Sequence, residues 1–188
     1  MNKLFFDGAC EPFNPGGIAT YGFAFLQNDK IIYKGYGLAC EPFTPTATNN
    51  YAEYKALIEG LACCLLNGID SLTVFGDSQL VIKQMTGLYK VTSNNIKQLF
   101  DMAKNLSDKF NNINFIWIPR EKNYIADAYS KAAFKEAIKS IDPQRVILPF
   151  GKYKGNSITN ISQKDPNYLK WLKENGNDNL KRIIALAL

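Results

Sequence analysis

The sequence predicts an α/β protein: an α+β mixed sheet of five strands, with elements in the order βββαβααβα, followed by a small basic C-terminal module. Three observations predict it. Apolar runs of strand length are punctuated by Gly, Pro, Asn and Asp. After the first three runs they alternate with longer segments whose apolar residues recur at helical spacing. The charge balance then changes near residue 144. Residues 1–143 hold 14 basic and 14 acidic side chains, whereas residues 144–188 hold 8 and 3, so the net +5 belongs to the tail. A chain of 188 residues suits one ordinary domain plus an appendage.

Residues 3–6 (KLFF) read as a short buried strand, and ACEPFNPGG after it reads as a loop. Residues 18–27 and 30–38 form two further strands around an Asn28-Asp29 turn, an antiparallel hairpin. A second loop, ACEPFTPTAT, follows. The run CEPF-x-P occurs at residues 10–15 and 40–45, too short a repeat to imply duplication. Residues 49–67 are helical, with Ala52, Leu57, Leu61, Cys64 and Leu65 near helical spacing, Thr48 or Asn49 as N-cap, and Gly68 as terminator. SLTVFGD is a buried strand and turn, and SQLVIKQMTG a short helix ended by Gly87. Residues 94–110 form a helix with Ile96, Leu99, Phe100, Ala103 and Leu106 on one side. NFIWIP is a strand that Pro119 ends, and residues 123–138 form a last amphipathic helix. Residues 1–139 thus make the main domain, 140–145 a linker and 146–188 the module. That module is expected to open with a short strand, turn through Gly151 and Gly155, and contain two short helices.

Composition excludes several chemistries. There is no His, so no Ser-His-Asp or Cys-His nucleophile exists here. Cys10, Cys40, Cys63 and Cys64 show no C-x-x-C spacing, which argues against structural zinc. Free thiols are expected, with a Cys10–Cys40 pairing left open. No apolar run approaches the roughly 20 residues of a membrane span. Asp7 interrupts the apolar N-terminal segment, so no secretory pattern is present and a cytoplasmic protein is expected. The basic tail reads either as a polyanion anchor or as a solvated face.

Four carboxylates stand in distinctive surroundings: Asp7 in LFFDGAC, Glu53 in TNNYAEYKALIEG, Asp77 in TVFGDSQLVIKQ and Asp127 in PREKNYIADAYSKAA. Singly each is ordinary. Asp7 suits a turn, Glu53 the first turns of a helix, Asp77 a helix cap, and Asp127 a solvent-facing helix position. If all four converge, their charge requires divalent cations and points to metal-assisted chemistry on phosphate.

These motifs, in this order, resemble type 1 ribonuclease H, including the related domain of reverse transcriptases. DGACEPFNPGG is similar to the first-strand Asp-Gly loop, TNNYAE to the Thr-Asn-Asn…Glu helix start, GDSQLVIKQMTG to the Asp-Ser turn and its helix, and IPREKNYIADAYSKAA to the closing motif of archaeal and some bacterial members. The resemblance covers about residues 1–138. It implies a ribonuclease H-like fold and an endonuclease that cuts the RNA strand of RNA–DNA hybrids, leaving 5′-phosphate and 3′-hydroxyl ends, with double-stranded RNA as a further candidate substrate. It implies Asp7, Glu53, Asp77 and Asp127 as ligands of two Mg²⁺ ions (Mn²⁺ as a substitute) about 4 Å apart. In that arrangement Asp7 bridges both ions, Glu53 and Asp77 complete the attacking-water side or position the substrate, and Asp127 holds the second ion. It also implies Asn14 and Asn50, with Gln79 as their companion, as amides near the ribose 2′-OH; Arg120, from the chemistry of its guanidinium, is a candidate to orient the scissile phosphate in two-pronged fashion. Two features depart from the better-known bacterial pattern. The loop histidine near the closing motif is missing, with Arg120 and Glu121 in its neighbourhood. The basic handle is also missing, since Lys90 is the only charge between Gln84 and Asn95.

The tail segment LPFGKYKGNSI…DPNYLKWL resembles a small module appended to some nucleases and other bacterial proteins. Lys152, Tyr153 and Lys154 offer a phosphate and stacking surface, and Trp171 is expected in the module's core. Two other readings keep the fold: a non-catalytic hybrid-binding protein, and a nuclease of the resolvase or integrase kind.

Overall fold

A computed structural model describes residues 1–188. The body is a five-stranded sheet in the order β3-β2-β1-β4-β5, built from β1 (Asn2–Glu11), β2 (Ile18–Gln27), β3 (Lys30–Leu38), β4 (Ser71–Gly76) and β5 (Asn112–Trp117). Strands β1, β2 and β3 pair antiparallel, while β4 and β5 run parallel to β1. The β2–β3 hairpin turns on Asn28 (φ 51°) and Asp29 (φ 63°), both left-handed, as a tight two-residue turn between right-twisted strands requires. Asn and Asp tolerate that region better than other non-glycine residues.

The chain places α1 (Asn49–Leu66), α2 (Gln79–Met85) and α3 (Asn94–Ser107) after the hairpin, and α4 (Tyr124–Ile138) after β5. Leu4 and Phe6 of β1 share the main core with Tyr54, Leu57 and Leu61 of α1, all fully buried. Helix α4 packs over β2 so closely that a Cβ on Gly22 would lie 2.4 Å from the Ser130 nitrogen.

Strand β1 extends well past the expected residues 3–6. Its parallel partner stops at the Phe6–Gly76 pair. The antiparallel ladder with β2 continues from Asp7–Gly22 to Glu11–Ile18. Asp7 is therefore mid-strand on one side and the first residue beyond a strand end on the other. That step in the sheet opens a notch above β4.

The C-terminal region differs from expectation in three respects. It contains three helices, α5 (Ile158–Lys164), α6 (Pro166–Asn175) and α7 (Asp178–Ile184), not two. The expected opening strand is reduced to one bridge, Ile147–Ser157. Trp171 is 56% exposed rather than in the core, because Leu169 and Leu172 take the inward positions of α6. The segment between body and module is a single turn of 3-10 helix, Pro143–Arg145, with Arg145 ion-paired to Glu41. Val146, Leu148, Ile158, Ile161, Leu169, Ile183 and Ile184 bury their side chains in a cluster that also includes Phe13, Ile18 and Phe134 of the body. All four cysteines are free thiols. No helix is long and apolar enough to cross a membrane.

Candidate active site

Three elements bring carboxylates to the notch. Asp7 lies on β1 just beyond the end of β4. Asp77 follows Gly76, the last residue of β4. Glu53 lies in the second turn of α1, whose start is capped by the Thr48 hydroxyl accepting from the Tyr51 N–H. Helix and strand approach so closely at Gly8 that a Cβ there would stand 2.2 Å from the Glu53 nitrogen. Only glycine permits this approach. Carboxylate oxygens of Asp7, Glu53 and Asp77 consequently lie within 4.8 Å of one another. They line a cleft of about 280 Å³ together with Asn49, Asn50, Ser78 and Arg120.

Burial sets the electrostatics. Asp7 is 4% exposed and Glu53 7%. Burial pushes the Asp7 carboxyl up to about 6, the Ser130 hydrogen bond opposes this, and the charges of Asp77 and Asp127 add to it. Glu53 lies well above the usual carboxylate range, again through burial first, then through Asp7 and Asp77, with the Gly8 N–H opposing. Glu53 Oε2 is buried and has no hydrogen-bond partner. An orphaned carboxylate oxygen beside two further carboxylates is costly unless a cation compensates it. Oxygen donors in this grouping fit a hard divalent cation.

Asp127, one turn into α4, is held differently. Its oxygens meet Lys131 Nζ at 2.6 Å and Arg120 at 3.4 Å. It stands at the rim of the cleft rather than among the three convergent groups, although its charge still reaches Asp7. Arg120 links the two places, since it lines the cleft while its side chain stays 72% exposed.

Of the remaining sequence candidates, Asn50 is exposed at the start of α1 and lines the cleft. Asn14 Oδ1 accepts from the Asn49 N–H at 3.1 Å, which ties the first loop to α1. Gln79 is exposed, one residue beyond Ser78, and accepts from Lys83 at 3.4 Å. In the module, Lys152 pairs with Asp165 at 3.0 Å, and the Tyr153 hydroxyl donates to the same carboxylate. The Tyr153 ring packs edge-on against Tyr168. Lys154 is exposed without an ion-pair partner.

Two residues that sequence reasoning missed hold the carboxylates. The Asn123 amide, fully buried, donates to the Phe6 carbonyl at 2.8 Å and to Asp77 Oδ1 at 2.6 Å. Asn123 precedes α4 and reads as a helix cap, yet its side chain makes no cap bond. The Ser130 hydroxyl bonds the Asp7 carboxylate. A serine among Ala126, Ala133 and Phe134 on the buried face of α4 was the available signal, because a buried hydroxyl needs a partner.

Comparison with known proteins agrees with this arrangement. Residues 6–133 match the family described as reverse transcriptase-like. Residues 148–177 match the exodeoxyribonuclease X-like C-terminal family. The chain is similar to the bifunctional protein Rv2228c of Mycobacterium tuberculosis, with 37% identity over 105 residues, covering 54% of this chain and 29% of that protein. It thus spans under a third of the length of that relative. Among solved structures, ribonuclease H1 of the halophilic archaeon Halobacterium salinarum superposes with a TM-score of 0.65, with 32% identity over 72% of this chain and 98% of that one. LC11-RNase H1, isolated from compost and crystallised with an RNA/DNA hybrid, gives a TM-score of 0.65 and 30% identity over 73% of this chain and 99% of that one. With the sheet order, the notch and its three acids in place, the chain belongs to the type 1 ribonuclease H family.

Proposed function

We propose that the protein is a divalent-metal-dependent endonuclease that hydrolyses the RNA strand of RNA–DNA hybrids and leaves 5′-phosphate and 3′-hydroxyl ends. One observation carries the reading: Asp7, Glu53 and Asp77 converge within 4.8 Å around a buried oxygen that no protein group satisfies. A protein that only gripped phosphate would gain nothing from such a grouping, since it repels the ligand. Asp7, Glu53 and Asp77, with Asp127 at the rim, would hold two divalent cations, Mg²⁺ or Mn²⁺, which would supply an acidified water and neutralise charge on the phosphate and the departing 3′ oxygen.

The chain's own groups do the rest. Ser130 and Asn123 fix the orientations of Asp7 and Asp77. Asn50 presents its amide at the cleft, while Asn14, with its oxygen engaged by Asn49, has an NH₂ group left to offer. Together with Gln79 these amides give the donors and acceptors that a 2′-OH demands. Arg120 is exposed enough to swing from Asp127 onto a substrate phosphate, where a guanidinium binds in two-pronged fashion.

The test is a substrate panel. The full chain is incubated with end-labelled RNA–DNA hybrid, DNA duplex or double-stranded RNA, in Mg²⁺, Mn²⁺ or chelator. The expected result is metal-dependent cutting of the RNA strand of the hybrid, ligatable product ends and an intact DNA duplex. Hybrid binding without cutting at any metal concentration would instead make it a non-catalytic hybrid-binding protein. Cutting of double-stranded RNA would widen the substrate range.

A further inference from the structure

We infer that the C-terminal module completes a second phosphate-binding cleft, continuous with the catalytic one, in which Lys135 of α4 and Arg182 of α7 hold the nucleic-acid backbone beyond the scissile linkage. The inference rests on the hybrid-cleaving reading above. A cleft of about 200 Å³ lies between body and module, and its walls include Arg120, Asp127, Lys131 and Lys135 on one side and Asp178, Asn179 and Arg182 on the other. Ala9, Glu11 and Arg120 line both this cleft and the catalytic one, so a strand lying in the active site runs directly into it.

The charges are of two kinds. Lys131 is committed to Asp127 at 2.6 Å, and Asp178 faces Lys181 at 3.9 Å. Lys135 and Arg182 are exposed and form no ion pair. They are the free cations of the cleft, with the Asn179 amide on the module's wall as a further donor to phosphate oxygen. Glu11 is the one acid there without an ion pair. The two walls keep their spacing because α4 and α7 share an apolar cluster: Phe134 lies beside Lys135 in sequence, Ile183 beside Arg182, and both side chains are buried in it. The expected turn around Lys152 and Lys154 lacks this setting, since Lys152 and Tyr153 are already tied to Asp165.

Each neutralised phosphate contributes about 0.9 to the slope of log affinity against log salt on duplex. The experiment measures hybrid binding by anisotropy across a salt series in Mg²⁺, in an Asp7→Asn background that blocks cutting, with wild-type cleavage of the same hybrid alongside. Lys135→Gln with Arg182→Gln is compared with Lys170→Gln with Lys173→Gln, an equal charge change on an exposed face of α6. Unchanged thermal midpoints verify folding of both pairs. The expected result is a slope shallower by about 1.5–2 for the Lys135/Arg182 pair only. Wild-type cutting with an unchanged slope, or with equal losses in both pairs, overturns the second cleft and leaves the nuclease reading intact. A wild type that neither binds nor cuts hybrid overturns both.

Discussion

Asp7 and Glu53 give up stability for function. Each carboxyl binds its proton more tightly in the folded chain than in the unfolded one. Their protonated forms therefore favour folding below about pH 4, and that contribution is lost as pH rises through about 6 for Asp7. In metal-free protein at pH 8, Asp7→Asn should stabilise the fold by on the order of 3 kcal/mol, from roughly two pKa units at 1.36 kcal/mol each. Thermal unfolding should show a gain of several degrees at pH 8 and almost none at pH 4. Equal effects at both values would contradict the burial of this charge. Ser130 acts the other way, since its hydrogen bond favours the ionised Asp7. Ser130→Ala should shift the acid limb of the hybrid-cleavage pH profile upward, and a profile that stays in place would remove Ser130 from the positioning of Asp7.

At the scale of elements, the site depends on how closely a helix approaches a strand. Gly8→Ala places a methyl group against backbone atoms of Ala52 and Glu53. Overpacking of this kind costs about 1–3 kcal/mol and moves Glu53 out of the cluster. A lowered denaturation midpoint together with weakened Mg²⁺ stabilisation checks this; an unaltered response to Mg²⁺ would show that Glu53 does not depend on the approach. Most elements were legible from period and punctuation. The strand bounds 18–27 and 30–38 were readable because Gly17, Asn28 and Asp29 interrupt the chain there. The extension of β1 through Asp7 was not, because Gly8, Pro12 and Pro15 signal a loop, while the ladder with β2 that overrides them is a tertiary contact. Asp7, Glu53 and Asp77 could be picked out by their setting at strand ends and a helix start. The roles of Asn123 and Ser130 depend on partners more than forty residues away, which no local pattern reveals. Trp171 misled because its aromatic bulk outweighed the helical phase that turns Leu169 and Leu172 inward.

At the scale of the whole molecule, body and module share one apolar cluster through Phe13, Ile18 and Phe134. Removing residues 144–188 uncovers all three, at about 1.5–3 kcal/mol each. The truncated body should therefore unfold at markedly lower denaturant than the full chain, and an unchanged midpoint would show that the module adds nothing to the fold. The same interface builds the second cleft, so tail and catalytic notch are parts of one surface. What organises that surface is the trio of acids at the step in the sheet. Single-turnover cleavage of an RNA–DNA hybrid by wild type, Asp7→Asn, Glu53→Gln and Asp77→Asn, titrated with Mg²⁺, tests this most directly. Wild type should cut only with metal, and each variant should fall by at least about 10²–10³-fold, the scale of losing one preorganised charge-stabilising group. Undiminished cutting by all three variants would contradict it.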